Sequence, residues 1–195
     1  MRRIGITGGI GSGKSVVSRL LRIMGYSVYD TDSEAKRLME SSLEVVQKLS
    51  ECFGRDIYHN GRLNRGLLSS RVFGESDKIV LLNSIVHPVV RFDFYRWSES
   101  LNEEICFVES AILYESRFDE LVDEVWTVTA PEELRISRVR QRSGLTEEEI
   151  KKRMAAQLSE EEKQRRAAHI IWNDGNVSVI HRVLSLLLSL IHISE

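Results

Sequence analysis

Apolar residues recur along this chain with two periods, and the alternation between those periods outlines a fold. Five short runs have the apolar character of strands: Ile4–Thr7, Ser27–Asp30, Ile105–Glu109, Glu124–Thr129 and Ile170–Trp172. Between them the spacing turns helical, first at Val16, Val17, Leu20, Leu21 and Met24, which predict a helix from Ser15. Strands alternating with helices imply an α/β fold, a five-stranded parallel sheet with helices on both faces. The alternation is uneven in two places. The stretch over about 33–104 carries two helical stripes, Leu43, Val46, Leu49 and Phe53, then Ile79, Leu82 and Val86, and no convincing strand. It reads as a helical insertion, punctuated at His87-Pro88 because the residue before proline is pushed out of the α region.

The second departure lies between Thr129 and Ile170. Pro131 suits the first turn of a helix running toward Ser143. Thr146-x-x-Glu149 and Ser159-x-x-Glu162 are capping-box patterns, each marking a further helix start. Two short capped helices between strands predict a lid, over about 138–168, that closes over substrate and excludes water. The apolar stretch Val177 to Ile193 is broken by His181, Arg182 and several serines. It is too short and polar for a bilayer and reads as a buried terminal helix.

Composition narrows the function classes. With 195 residues and 42% hydrophobic content, the chain supports a full core in one domain, 1–195, bearing the insertion and the lid. A net charge of −2 argues against nucleic-acid or membrane-surface binding. Two cysteines in dissimilar contexts, Cys52 and Cys106, point to reduced thiols and a cytoplasmic protein. Arg2-Arg3 precedes no apolar segment of signal-peptide kind. The five histidines show no metal-ligand spacing, and His169 and His181 read as structural.

The candidate chemistry starts at Gly8-Gly9-Ile10-Gly11-Ser12-Gly13-Lys14-Ser15, which fits the phosphate-loop pattern G-x-x-x-x-G-K-[ST] between a predicted strand and a predicted helix. Such a loop turns successive backbone N–H groups onto phosphate oxygens. Lys14 would reach the β- and γ-phosphates, and the Ser15 hydroxyl would ligate Mg²⁺. Asp30 and Asp32 end the second strand, where ligands of open parallel sheets bind. Either can orient an acceptor or metal, or simply cap the helix that follows. Glu109 ends the third strand, the usual place of an acid that holds Mg²⁺. Of the many cations between Arg135 and Arg166, Arg138 and Arg142 share a helix face and suit the charge of a transferring phosphoryl group. Most of the others read as a solvated face, and Glu115 as a surface acid.

These residues, taken in order, resemble the dephospho-coenzyme A kinase family, and the likeness runs from Ile4 to about Gly175. It rests on Ile6–Ser15, the Asp-x-Asp of Asp30 and Asp32, Phe53-Gly54, Gly61-Arg62-Leu63-Asn64-Arg65, Val72-Phe73, His87-Pro88, Arg138 and Arg142, Gln157, and Asn173-x-Gly175. Two positions depart from the family: Glu109-Ser110-Ala111-Ile112-Leu113-Tyr114-Glu115 replaces an Asp followed by Pro-Leu-Leu-Phe-Glu, and Val16 stands where Thr is common. The resemblance implies a P-loop kinase core with a helical coenzyme A-binding insertion and a lid. It implies ATP-dependent phosphorylation of the ribose 3′-hydroxyl of dephospho-coenzyme A, with Mg²⁺. Gly11, Ser12, Gly13, Lys14, Ser15 and Val16 would cradle ATP phosphates, with Asn173 and Gly175 also at the nucleotide. Asp32 would take or orient the hydroxyl proton, and Lys14, Arg138 and Arg142 would stabilise transferred charge. Arg65 and His87 would touch the acceptor, although an ion pair serves equally for Arg65. A different P-loop nucleoside or nucleotide kinase, or a nucleotide-dependent switch, would share the core but not the insertion motifs.

Overall fold

The computed structural model describes residues 1–192. In chain order the elements are β1 (Arg2–Thr7), α1 (Lys14–Ile23), β2 (Val28–Asp30), α2 (Thr31–Ser41), α3 (Leu43–Phe53), β3 (Tyr58–His59), β4 (Arg62–Leu63), α4 (Arg65–Val72) and α5 (Ser76–Ser100). There follow β5 (Ile105–Glu109), β6 (Glu124–Thr129), α6 (Glu132–Ser143), α7 (Glu147–Ala155), α8 (Glu160–Arg166), β7 (His169–Trp172) and α9 (Val179–His192). They form two compact units: Met1–Tyr29 with the chain from Asn102 onward, and Asp30–Leu101.

The first unit is built on the five-stranded sheet β2-β5-β1-β6-β7. Parallel pairing sets Ile6 of β1 beside Glu109 of β5 and Trp126 of β6. Residues 4–7 of β1 are buried without alternation, as a strand covered on both faces requires. On one face Ile4, Ile6, Phe107, Trp126 and Val128 pack with Val17 and Leu21 of α1 and with Val183, Leu187 and Leu190 of α9. The Phe107 and Trp126 rings meet edge to face at 5.5 Å. Only one stripe of α9 is buried: Ile180 is 50% exposed and Leu188 57%. The expected buried terminal helix is thus buried along one stripe, since the sheet covers a single side of it; Ile193 lies outside the described residues.

The second unit is mainly helical. Asn60 (φ 49°) and Gly61 (φ 75°) turn β3 into β4 as a small hairpin, a feature the stripe reading passed over. Asn-Gly is the strongest short hairpin signal, because both turn residues need positive φ. Ser42 and Asn64 cap α3 and α4 by accepting the N–H groups of Val45 and Leu67. The buried stripe of α3 is Val45, Leu49 and Phe53, whereas Leu43 is 87% exposed. In α5 the buried apolar residues are Ile85, Val86, Val90 and Phe94, and Ile79 is exposed. The expected break at His87-Pro88 does not occur: α5 runs 25 residues straight through Pro88. A proline inside a helix costs about 3 kcal/mol. Buried apolar groups on both sides of it hold the helix together across that fault.

Candidate functional site

In the sheet unit, β1 ends at Thr7 and the chain turns through Gly8–Gly13 into α1. Gly13, at φ 100°, is the residue before the helix, and no side chain caps that end. No acid occupies the first turn of α1 either. The N-terminal amides and the positive end of the helix dipole are thus left for an anion. The Lys14 ammonium curls back over the loop, donating to the Gly8 carbonyl at 2.9 Å. Ser15 and Val16 are exposed on the first turn, and the Val16 N–H bonds to the Gly13 carbonyl at 2.9 Å. Val16 therefore brings no side chain to the loop's interior.

The loop has no spare room on its outer side. A Cβ on Gly13 would lie 2.1 Å from Asn173 Nδ2, and one on Gly9 would lie 2.2 Å from Glu160 Oε1. Those neighbours arrive from the elements that follow β6. The Asn173 carboxamide donates to the Ser12 carbonyl at 2.9 Å, and its backbone N–H donates to Thr129. The Arg138 guanidinium donates to the Asn173 carbonyl at 2.9 Å and reaches the Ser12 carbonyl at 3.5 Å. The predicted residues Ser12, Arg138 and Asn173 are thereby brought together. Arg142, one turn further along α6, is exposed, and Gly175 (φ 89°) sits in a turn closed by Asp174 and Asn176.

Not all the cations of this region form a solvated face. Arg135 is 5% exposed and Lys163 fully buried. Arg135 pairs with Glu160 at 3.0 Å, and Lys163 lies 3.9 Å from the same carboxylate oxygen. Burial lowers the Lys163 pKa, opposed by the Glu160 and Glu115 carboxylates. Arg135, Arg138 and Arg142 follow one another at three- and four-residue spacing, a signal that places all three on one helix face. Glu115, read as a surface acid, is exposed yet accepts the Leu158 N–H at 2.7 Å, which ties the turn between α7 and α8 to the loop after β5. Helix α7 is capped as expected at Thr146, where both halves of the capping box form. At Ser159 one half forms. Glu162 turns instead to Arg165 and Arg166, whose guanidiniums bring its carboxyl to about 2.

Glu109, half-buried at the carboxyl end of β5, neighbours the strand that feeds the loop. Among the described residues no cluster of three or more His, Cys, Asp or Glu could hold an ion. Ser15 and Glu109 offer only hard oxygen donors, the pattern for a cation held mostly by water and substrate phosphates. His169 packs edge to face on Trp126 at 6.2 Å, a structural role, as read from sequence.

In the helical unit the alternatives at Asp30 and Asp32 separate. Asp30 caps α2, accepting the N–H groups of Asp32 (3.1 Å) and Ser33 (3.3 Å) and the Ser33 hydroxyl (2.8 Å). The Asp32 carboxylate takes no part in that cap and is exposed. Arg65, in the first turn of α4, pairs with Glu40 at 3.1 Å, both on the surface. His87 is half-buried in α5, its pKa lowered by burial and by Arg91 one turn on.

Comparison with known proteins bears directly on this arrangement. The family model described as dephospho-CoA kinase matches residues 2–178. A dephospho-CoA kinase of Bacteroides fragilis is 41% identical over 186 residues, covering 95% of this chain and 91% of its own length. That of Porphyromonas gingivalis is 45% identical, covering 83% of this chain and 80% of its own. A crystal structure from Thermus thermophilus superposes with a TM-score of 0.84 at 37% identity, over 96% of each chain. Shikimate kinase of Acinetobacter baumannii, at 16% identity and a TM-score of 0.56, shares the fold. No helix among the described residues is long and apolar enough to cross a membrane.

Proposed function

This chain belongs to the dephospho-CoA kinase family, and from that premise we propose how its residues divide the work of phosphoryl transfer. It phosphorylates dephospho-coenzyme A at the expense of ATP, the last step of coenzyme A synthesis. The acceptor atom in our reading is the ribose 3′-hydroxyl. One observation carries the assignment of the donor site: an uncapped, acid-free helix end behind a loop in which a Cβ at Gly8 or Gly11 would lie 2.1 or 2.4 Å from a backbone carbonyl oxygen, of Val128 or Arg135.

Phosphoryl transfer asks chiefly for positioning and for charge stabilisation. The amides of Gly11 to Ser15 hold the ATP phosphates, with Lys14 supplying positive charge where it grows toward the transition state. Arg138 and Asn173 hold the nucleotide side of the loop, with Gly175 shaping the turn beside them, and Arg142 adds a second guanidinium. Ser15 and Glu109 are the oxygen donors for Mg²⁺, which neutralises phosphate charge when bound. Asp32 accepts the hydrogen bond of the acceptor hydroxyl. Its main effect is to orient that hydroxyl toward the phosphoryl group. The unit Asp30–Leu101 is the acceptor-recognising insertion, with Arg65 and His87 as contacts. The free thiols Cys52 and Cys106 support a reducing compartment, the cytoplasm.

A coupled ADP-release assay across dephospho-coenzyme A, AMP and simple nucleosides tests this reading. Rapid, Mg²⁺-dependent turnover with dephospho-coenzyme A is expected. Preference for a simple nucleoside would reassign the acceptor while leaving the donor site intact.

A further inference from the structure

Gln157 lies in the turn between α7 and α8, half-buried, and spans two walls of the phosphate site. Its Oε1 accepts the backbone N–H of Ile10, inside the phosphate loop, at 3.0 Å. Its Nε2 donates to the carbonyl of Ala111, two residues past Glu109, at 3.5 Å. Neighbouring lid residues are fixed as well. The Leu158 N–H donates to Glu115 on the second of these walls, and Glu160, held by β6 and α6, accepts from Thr129 Oγ1 at 3.1 Å while pairing with buried Arg135. That ion pair lies directly against Gly9, where a Cβ would be 2.3 Å from Arg135 Nη1.

The chemistry of the side chain is specific to this place. A carboxamide is both acceptor and double donor and carries no charge. Glutamate could accept from Ile10 but could not donate to Ala111, and it would add negative charge beside phosphates. Lysine could donate but not accept. A buried ion pair such as Arg135–Glu160 contributes little net stability, but its geometry is defined. Together these bonds define one docked position of the lid against the loop.

We propose that Gln157 is a positioning residue, a latch that joins the lid to the phosphate loop and to the loop after β5, and so keeps water from the reacting phosphoryl group. The proposal rests on Gly8–Ser15 being the ATP phosphate site. Loss of the latch admits water in place of the acceptor hydroxyl. The water oxygen then forms the new bond to phosphorus, the bond to the β-phosphate oxygen breaks, and the products are ADP, inorganic phosphate and a proton. Exclusion of water is what lid closure provides in transferases of this kind.

The test measures ADP and phosphorylated acceptor in the same reaction, for wild type, Gln157→Leu and Gln157→Glu. Wild type should give the two in equal amounts. Both variants should lose about 10-fold in kcat, the scale of a small misplacement at the site, and release ADP in excess of product. Equal ADP and product in a folded Gln157→Leu protein would overturn the proposal, whatever its melting temperature. Should that variant fail to fold, Gln157→Met, which keeps length and volume but loses both hydrogen bonds, carries the same expectation. Lys14→Ala separates the two readings. If it abolishes ADP release while Gln157→Leu stays fully coupled, the phosphate site stands and the latch alone is wrong.

Discussion

The two units of this molecule present their candidate residues in opposite ways. In the sheet unit most groups around the phosphate loop are held by fixed partners: Asn173 by Thr129 and Ser12, Arg138 by Asn173, Gly8 and Gly11 by the backbone carbonyls of Val128 and Arg135, with Ser15 and Arg142 exposed. In the helical unit the candidates are exposed or half-buried side chains: Asp32 outside the cap that Asp30 completes, Arg65 in a surface ion pair, His87 beside Arg91. The contrast suits the two halves of the reaction. ATP phosphates need fixed donors aimed before the substrate arrives. A long acceptor can be gripped by several adaptable contacts whose combined binding energy positions one hydroxyl.

The largest effect expected is at the rigid end. Lys14→Ala should reduce kcat by about 10³-fold or more if Lys14, as proposed, meets charge that develops in transfer. Circular dichroism and the melting curve should remain close to wild type. Near-normal turnover in a folded Lys14→Ala protein would remove the distinction between the units.

The next effect separates two adjacent acids. Asp32→Asn should lower kcat by about 10²-fold with little change in ATP affinity, the scale of a lost general base or orienting acid. Asp30→Ala should instead cost about 1 kcal/mol of stability, seen as a lower melting temperature, because it removes a helix cap. If Asp30→Asn abolishes turnover and Asp32→Asn does not, the two roles are exchanged.

Legibility from sequence follows the same division. The central strands β1, β5 and β6 are short apolar runs buried on both faces, and β5 and β6 match their expected spans residue for residue. The phosphate loop was readable because its glycines answer local needs, positive φ and close backbone approach. The insertion was readable as helical but not in its helix phases, because Leu43 and Ile79 are as apolar as the residues that are buried and only tertiary packing chooses among them. Pro88 was misread for a related reason: local preference predicts a break, and the packing of Ile85, Val86 and Val90 overrides it. The hairpin at Asn60-Gly61 carried a sufficient signal that was outweighed by the helical pattern around it. At the site, Arg138 and Asn173 were legible as motif residues. The buried Arg135–Glu160 pair and the Gln157 bridge were not, because they depend on which residues of α6, α8 and the turn before α8 fold onto the loop.

A smaller effect tests the adaptable side alone. Arg65→Ala and Glu40→Ala each break the same exposed ion pair, worth at most about 1 kcal/mol. If Arg65 also contacts acceptor phosphate, only Arg65→Ala should raise the acceptor KM several-fold, with ATP KM unchanged. Equal effects from both variants would make Arg65 structural.

The claim that the helical unit recognises the distal part of the acceptor, and thereby positions the reacting hydroxyl, is tested most directly by comparing kcat/KM for dephospho-coenzyme A with that for AMP and adenosine. The truncated acceptors keep the adenosine ribose and lack the pantetheine arm. They should lose about 10²-fold or more in kcat/KM, part of it in kcat, because remote binding energy is used at the reacting centre. Equal efficiency for AMP and dephospho-coenzyme A would contradict the account.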